Sequence, residues 1–250
     1  MHVKHARIVL VIVLLMTARP ALAQRGRGQA ATGTPKTNAS VDLTGFWVSV
    51  VTEDWRYRMV TPPKGDRVNV PVNPAAISVV NAWDPAKDEA AGEQCKAYGA
   101  VGAMRQPGRI RFTWADDNTL KIETEAGTQT RLLHFGTASR SEEPTWQGDS
   151  LATWEYPGRR GRGPGQNGSL KVVTTRMRPG YLQKNGVPYS ANAVLTEYFS
   201  RATEPNGDSW LFLTAIVEDP QYLTTPFIRS SHFKKLPDTS AWEPEACSAK

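Results

Sequence analysis

The sequence predicts an all-β domain, an antiparallel barrel or sandwich of eight to nine strands with one or two short helices inserted after the first strand. Three observations support this fold class. From residue 41 onward, short runs of apolar, β-branched and aromatic residues recur at near-regular spacing. Turn-forming residues separate the runs, and no internal repeat or second composition regime interrupts them. We therefore expect one domain over residues 41–250.

The predicted strands lie near residues 45–59, 109–115, 119–125, 128–135, 150–156, 169–178, 192–202, 209–218 and 226–235. Hairpin turns fit between several of them. Residues 116–118, 125–127 and 206–208 are rich in Asp, Asn and Gly, which accept the positive φ of tight turns. These turns favour antiparallel neighbours.

Two helix starts lie between the first and second predicted strands. Asn73 precedes Pro74, and Asp84 precedes Pro85. A capping side chain followed by proline at the first helical position is typical of a helix N-terminus. We therefore expect one or two short helices within residues 74–91, lying over one end of the sheet.

The N-terminus has the features of a secretory signal. Lys4 and Arg7 precede an apolar run over residues 8–16, and a small-residue cleavage site ends at Ala23. The run is too short to cross a bilayer, which takes about 20 apolar residues, and no later segment is long enough. We expect cleavage near Ala23, a periplasmic or secreted mature protein, and a disordered leader over residues 24–40.

The charge of the chain is modest once the signal is removed. The formal net charge is +6, and three of the basic residues lie within the signal. Arginine- and glycine-rich segments at residues 25–28 and 157–168 could mark a nucleic-acid surface. We interpret them as flexible, solvated segments, because an exported protein seldom meets nucleic acid. No nucleic-acid partner is expected, and the oligomeric state is left open.

Only two cysteines are present, Cys95 and Cys247. Export to an oxidising compartment favours a disulfide between them. The alternative is a pair of separate buried thiols.

The histidine and cysteine content limits metal and cofactor chemistry. His134 and His232 are the histidines beyond the signal, and no Cys-x-x-Cys pair occurs. A three-histidine zinc site therefore cannot form within one mature chain. The glycine-rich segments also lack the Lys-Ser/Thr of a phosphate-binding loop. We expect neither a metal nor a cofactor.

Two acidic residues fall on predicted apolar strand faces. Strand alternation over residues 45–59 places Trp47, Glu53, Trp55 and Tyr57 together, and it places Glu197 between apolar neighbours. An ionised carboxylate on an interior face must be paired, hydrogen-bonded or shifted in pKa. We therefore predict that these five side chains line a ligand cavity.

The first functional hypothesis is an exported protein that binds a small, partly apolar molecule, with Glu53 and Glu197 orienting a polar group. The same acids, with His134 or His232 as partner, would suit a cofactor-free hydrolase, dehydratase or isomerase. Whether the protein is an enzyme is therefore left open.

A third hypothesis is an envelope interaction protein without a ligand site. In that case each inward acid should be in a salt bridge, with an arginine such as Arg176 or Arg178, and no sizeable cavity should exist.

The string Gly148-Asp149-Ser150-Leu151 resembles the signature of the GDSL esterases, and that resemblance implies Ser150 as nucleophile. The chain departs from the family pattern. Ser150 lies in mid-chain among predicted strands, and the residue three before His232 is Arg229, where the family has aspartate. We interpret the string as the start of a strand, with Gly148 and Asp149 in the turn and Trp154 packing inward.

Two further resemblances support the barrel. Gly45-Phe46-Trp47 resembles the Gly-x-Trp of the first lipocalin strand, which implies a barrel whose tryptophan closes the base against a basic residue. Blocks such as TWQGDSLATWE and VEDPQYLTTPF are similar to those of uncharacterised exported all-β proteins of environmental bacteria. The second resemblance implies no activity.

Overall fold

The computed structural model describes residues 33–137, 141–156, 168–237 and 241–250. The predicted signal peptide, residues 24–32 of the predicted leader and residues 157–167 of the second arginine- and glycine-rich segment lie outside the described residues. Within the described ranges, no helix has the length and apolar character needed to cross a membrane.

Nine strands close into a barrel, which confirms the predicted all-β barrel. In sequence order they are β1 (Gly45–Val50), β2 (Arg109–Asp116), β3 (Thr119–Thr124), β4 (Gln129–Phe135), β5 (Asp149–Glu155), β6 (Ser169–Thr175), β9 (Val194–Thr203), β10 (Ser209–Glu218) and β11 (Phe227–Lys235). Around the barrel the order is β1-β11-β10-β9-β6-β5-β4-β3-β2. The intervening β7 (Gly180–Gln183) and β8 (Val187–Tyr189) form a separate two-stranded sheet, which was not predicted.

One strand pair departs from the predicted antiparallel arrangement. β4 and β5 are parallel, with Leu133 opposite Ser150. Every other neighbouring pair is antiparallel. The connection between β4 and β5 therefore has to return along the barrel, so the two strands cannot be joined by a tight hairpin.

The predicted hairpin turns are confirmed. In the β2–β3 turn, Asn118 N donates to Asp116 Oδ1 at 2.7 Å. The β3–β4 turn has positive φ at Gly127 and Thr128, and the β9–β10 turn has positive φ at Gly207. Local turn chemistry thus sets three of the strand connections.

The segment between β1 and β2 carries the predicted helices. It contains α1 (Trp55–Arg58), α2 (Pro74–Ala82), α3 (Pro85–Ala90), a 3₁₀ turn (Lys96–Tyr98) and α4 (Ala100–Ala103). Asn73 caps α2 by accepting from Ala76 N at 3.1 Å, and Asp84 caps α3 by accepting from Ala86 N at 3.1 Å. Both predicted helix starts are confirmed.

The first strand is shorter than the pattern predicts. β1 ends at Val50, and Asp54 takes a left-handed conformation with φ 51° before α1 begins at Trp55. The Asp54 carboxylate lies between two arginines, Arg105 and Arg229. These long-range ion pairs hold the chain in a turn where alternation alone predicts a continuing strand. The predicted strand from residue 51 to residue 59 is therefore wrong.

The barrel interior has three layers. We call the end at which β1 begins the lower end and the opposite end the upper end. Apolar side chains such as Trp47, Phe112 and Phe199 fill the lower and middle parts. A second apolar cluster, which includes Leu195 and Tyr189, closes the upper end beneath the inserted helices. Between the two clusters the inward-facing positions carry polar residues, Arg131, Ser150, Thr174 and Glu197, which form a polar layer.

A short N-terminal segment, residues 33–44, crosses the lower end; we call it the strap. Val41 and Leu43 from the strap are buried in the lower core. Trp47 Nε1 donates to Leu43 O at 2.9 Å, and Lys235 Nζ lies 5.4 Å from the centroid of the Trp47 ring. Residues 33–40 belong to the predicted disordered leader, yet they make defined contacts with the barrel.

Candidate functional site

The residues predicted to share one ligand cavity lie in separate parts of the barrel. Trp47 is fully buried in the lower core. Glu197 lies in the interior polar layer, and Glu53 lies at the upper end beside α1. Trp55 is 64% exposed, so it lines no interior cavity. The predicted common face fails because β1 ends at Val50.

Glu197 is held by a buried arginine. Arg131 Nη1 lies 3.2 Å from Glu197 Oε1, and Arg131 Nη2 lies 2.7 Å from Oε2. Each side chain is 1% exposed. Arg131 Nη2 also donates to Thr174 Oγ1 at 3.2 Å. Glu197 is therefore paired with an arginine, as the third hypothesis expects. The partner is Arg131, and not Arg176 or Arg178.

Glu53 is also paired, at the upper end. Its Oε1 accepts from Arg58 Nη1, and its Oε2 accepts from Thr52 Oγ1 at 2.7 Å. Glu53 Oε2 lies 3.4 Å from His232 Nδ1, whose ring packs edge-on against Phe212. The structure thus brings Glu53 and His232 together, as the enzyme hypothesis expects. Tyr57 takes no part in this group; its ring lies beside Arg56.

Two further arginines lie close to this group. Asp54 Oδ2 is 2.8 Å from Arg229 Nε and 3.4 Å from Arg105 Nη1. Burial lowers the pKa of Arg105 to about 10; the Asp54 charge opposes the shift, and the neighbouring arginine charges add to it. Even so, Arg105 stays protonated at neutral pH, so Asp54 faces two cations.

Ser150 lies inside the barrel and is 1% exposed. Its Oγ is 2.8 Å from Thr174 Oγ1, in the same polar layer as Arg131. β5 begins at Asp149, and Gly148 has a positive φ of 61° in the turn before it. This geometry fits the start of a strand. It does not fit a nucleophile, because a nucleophile needs access to its substrate and Ser150 is buried.

His134 lies on the outer side of β4, in a groove of about 220 Å³ that Leu132, Ser141 and Asp149 also line. His134 Nδ1 is 3.3 Å from Thr119 Oγ1. Burial acts to raise the pKa of Asp149, but hydrogen bonds from Ser141 and the charge of Arg176 outweigh it and lower that pKa. Arg176 Nε lies 2.9 Å from Asp149 Oδ2, and Ser141 Oγ donates to Asp149 Oδ1.

A larger pocket opens at the lower end, between the strap and the barrel. Three aromatic rings pack together there: Trp114 stacks on Phe135 at 5.8 Å between centroids, and Trp154 lies 5.1 Å from Phe135. Trp114 and Trp154 form part of the wall of a pocket of about 310 Å³, with Leu120 and strap residues on the other sides. We call this the aromatic pocket.

Two charged groups of opposite sign stand at the edge of the aromatic pocket. The Lys36 side chain is 48% exposed, and the Asp42 side chain is 58% exposed. Burial acts to raise the pKa of Asp42, but hydrogen bonds from Thr44 and the charges of Lys235 and Arg201 lower it, so the carboxylate stays ionised at neutral pH. The pocket thus combines an aromatic wall with a charged edge, an arrangement suited to an amphipathic molecule.

The sequence carried a partial signal for this pocket. Trp114 and Phe135 stand at the ends of β2 and β4, and two intervening hairpins bring those ends together. Alternation and turn positions would have placed both at one end of the barrel. Trp154 could not be placed in this way, because the parallel β4–β5 pair was not predicted.

Metal ligands are not gathered in the described part of the chain: no group of three or more His, Cys, Asp or Glu side chains there is close enough to hold an ion. The two cysteines are joined in a disulfide, as predicted, with a Cα–Cα distance of 5.1 Å.

No protein-family model matches the chain, and no curated protein or solved structure shows significant similarity to it. The resemblances to lipocalins and to exported all-β proteins therefore stay predictions that rest on the quoted residues, and so does the interpretation that the match to the GDSL esterases is a coincidence.

Proposed function

We propose that the protein is an exported binding protein for a small, partly apolar molecule, and that the molecule occupies the aromatic pocket. The observation that carries the proposal is an open volume of about 310 Å³ against Trp114 and Trp154, with Lys36 and Asp42 at its edge. Ligand pockets of proteins start at about 300 Å³ and combine mostly apolar walls with a few polar groups.

The strap forms one wall of this pocket. Trp154 Nε1 donates to Pro35 O at 2.8 Å, and Lys36 N donates to Asp117 O at 3.2 Å. Residues 33–39 of the strap belong to no barrel strand and precede the buried Val41 and Leu43, so their displacement would break no strand pair. A ligand can therefore enter beside the strap and place its apolar part on the tryptophan rings.

The first experiment is native mass spectrometry of protein from the exporting cell, followed by a titration with the amphipathic dye 1-anilinonaphthalene-8-sulfonate. A mass loss on denaturation would identify a bound molecule, and an N-terminus at Gln24 would support export. Ala39 lines the pocket. We expect Ala39→Phe to fill it and weaken dye binding at least about tenfold, or about 1.4 kcal/mol.

Ala90→Phe is the matched control, because Ala90 is an exposed alanine on α3, outside the aromatic pocket. It should leave the affinity for the dye unchanged. Unchanged dye binding in a folded Ala39→Phe protein would overturn the assignment to this pocket. With no bound molecule either, the envelope interaction hypothesis would become the better one, since both predicted acids are in ion pairs.

A second candidate function is cofactor-free acid–base catalysis at the upper end. The observation in its favour is the 3.4 Å separation between Glu53 Oε2 and His232 Nδ1. A carboxylate that orients an imidazole is a common general-base arrangement. This function predicts turnover of a screened ester with a bell-shaped pH profile that Glu53→Gln removes. His134→Asn serves as the control histidine, and equal loss in both variants would count against a site at Glu53.

A further inference from the structure

The segment from Asp54 to Val68, which includes α1, lies at the upper end; we call it the α1 loop. Its exposed large apolar residues are Trp55, Met59, Val60 and Val68, whose exposed fractions are 64, 57, 62 and 88%. Large apolar side chains exposed singly are ordinary, but four within fifteen residues are not. The loop therefore presents apolar surface to solvent.

Two of these apolar side chains, those of Trp55 and Met59, lie near each other. Trp55 and Met59 are one helical turn apart, and Met59 N donates to Trp55 O at 2.9 Å. The later part of the loop folds back on the earlier part, because Arg56 Nη2 lies 3.6 Å from Asp66 Oδ2. Val68 follows two residues after Asp66, which contacts Arg56 of α1.

In the α1 loop the acidic side chains are little exposed, whereas two basic side chains are exposed. Its two acids are little exposed and lie beside arginines: the Asp54 side chain is 22% exposed against Arg105 and Arg229, and the Asp66 side chain is 13% exposed beside Arg56. The exposed charged residues of the loop are Arg56 and Lys64, both basic. The solvent side of the loop is therefore apolar and positively charged.

We propose that the α1 loop docks the protein on an anionic lipid surface. A tryptophan with flanking aliphatic side chains can enter the interfacial region of a bilayer, where tryptophan is enriched. Arg56 and Lys64 would then face the lipid phosphates, each adding attraction to an anionic leaflet. Because both acids of the loop are little exposed and lie beside arginines, they add little repulsion to such a surface.

The docking surface and the aromatic pocket lie at opposite ends of the barrel. A protein held by the α1 loop would therefore keep the strap and its pocket directed away from the lipid. The docking proposal does not depend on the proposed binding function, because the two rest on different residues.

The experiment is co-sedimentation of the mature protein with vesicles of phosphatidylglycerol and phosphatidylcholine, compared with vesicles of phosphatidylcholine alone. We expect binding to the anionic vesicles that weakens as salt is raised, because exposed charges are screened. Trp55→Ser combined with Met59→Ser should reduce the partition coefficient at least about tenfold. Arg56→Gln combined with Lys64→Gln should reduce it about tenfold or more on anionic vesicles.

Leu151→Ser and Lys171→Gln are matched controls. Leu151 is an exposed apolar residue on β5, across the barrel from β1, and Lys171 is a basic residue on β6. Neither substitution should change vesicle binding. Circular dichroism checks that each variant is folded, since all of these side chains are at the surface.

Two results would overturn the proposal. The first is the absence of binding to anionic vesicles at low salt. The second is self-association of the protein without lipid that Trp55→Ser with Met59→Ser abolishes, because the loop would then be an interface between copies of this chain.

Discussion

Arg131 on β4 and Glu197 on β9 form a bidentate ion pair inside the barrel. Two strands, β5 and β6, lie between β4 and β9 in the sheet. Both side chains are 1% exposed, and Thr174 and Ser150 extend the hydrogen-bonded group. A buried pair of this kind is costly to break, because the remaining partner becomes an uncompensated charge. The polar layer therefore fixes the relative positions of β4, β5, β6 and β9.

Replacing one member of this pair should destabilise the protein strongly. We expect Glu197→Gln to lower the free energy of unfolding by about 3 to 5 kcal/mol, because Arg131 stays charged in an apolar interior. Urea denaturation measures the change. The double variant Arg131→Met with Glu197→Leu should be more stable than Glu197→Gln; if it is less stable, the pair contributes more than this account allows.

Ser150 should contribute to stability and not to catalysis. Ser150→Ala removes the 2.8 Å contact to Thr174, so we expect a loss of about 1 kcal/mol in the free energy of unfolding. Any ester hydrolysis by the wild-type protein should continue in this variant. Loss of hydrolysis with the fold intact would show that Gly148-Asp149-Ser150-Leu151 is a nucleophile motif after all.

The disulfide should be a major source of stability. Cys95 and Cys247 are 152 residues apart in sequence. In the chain-entropy model, closing a loop of this length stabilises the fold by about 5 kcal/mol. We expect the double variant Cys95→Ser with Cys247→Ser to unfold at a much lower urea concentration. A reducing agent should shift the wild-type midpoint toward that of the variant and leave the variant unchanged.

Acid should destabilise the protein partly through Asp149. Its pKa is lower in the folded state than the usual value of about 3.9. Burial acts to raise this pKa, but the hydrogen bonds from Ser141 and the charge of Arg176 lower it by more. A depressed folded pKa gives stability that is present above the unfolded pKa and lost as pH falls through the folded pKa. Below about pH 4, the wild type should therefore lose more stability than Asp149→Asn.

Urea midpoints measured at steps from about pH 6 to about pH 2 would show this difference between the curves. Ser141→Ala removes one of the hydrogen bonds to Asp149 and should behave in an intermediate way. Parallel curves for the wild type and Asp149→Asn would mean that the folded and unfolded pKa values of Asp149 are the same.

The candidate site was predicted less well than the fold. The sequence singled out Glu53 and Glu197 as buried or half-buried acids, and the structure pairs both with arginines. It placed them in one cavity because alternation was extended beyond Val50. The partner of each acid depends on which strands meet across the barrel, and Arg131 is 66 residues from Glu197 in sequence. No local pattern carries that information.

The sequence by itself determined the approximate positions of the nine barrel strands, three of their hairpin turns and the starts of α2 and α3, and it favoured a disulfide between Cys95 and Cys247. These features depend on side-chain alternation, turn conformation and capping, which act over a few residues, and on there being only two cysteines. The tertiary structure alone decided the closure of the barrel, the parallel β4–β5 pair, the end of β1 before Asp54 and the aromatic pocket under the strap. Each of these depends on contacts between distant segments, and the free energy of such contacts exists only once the chain is folded.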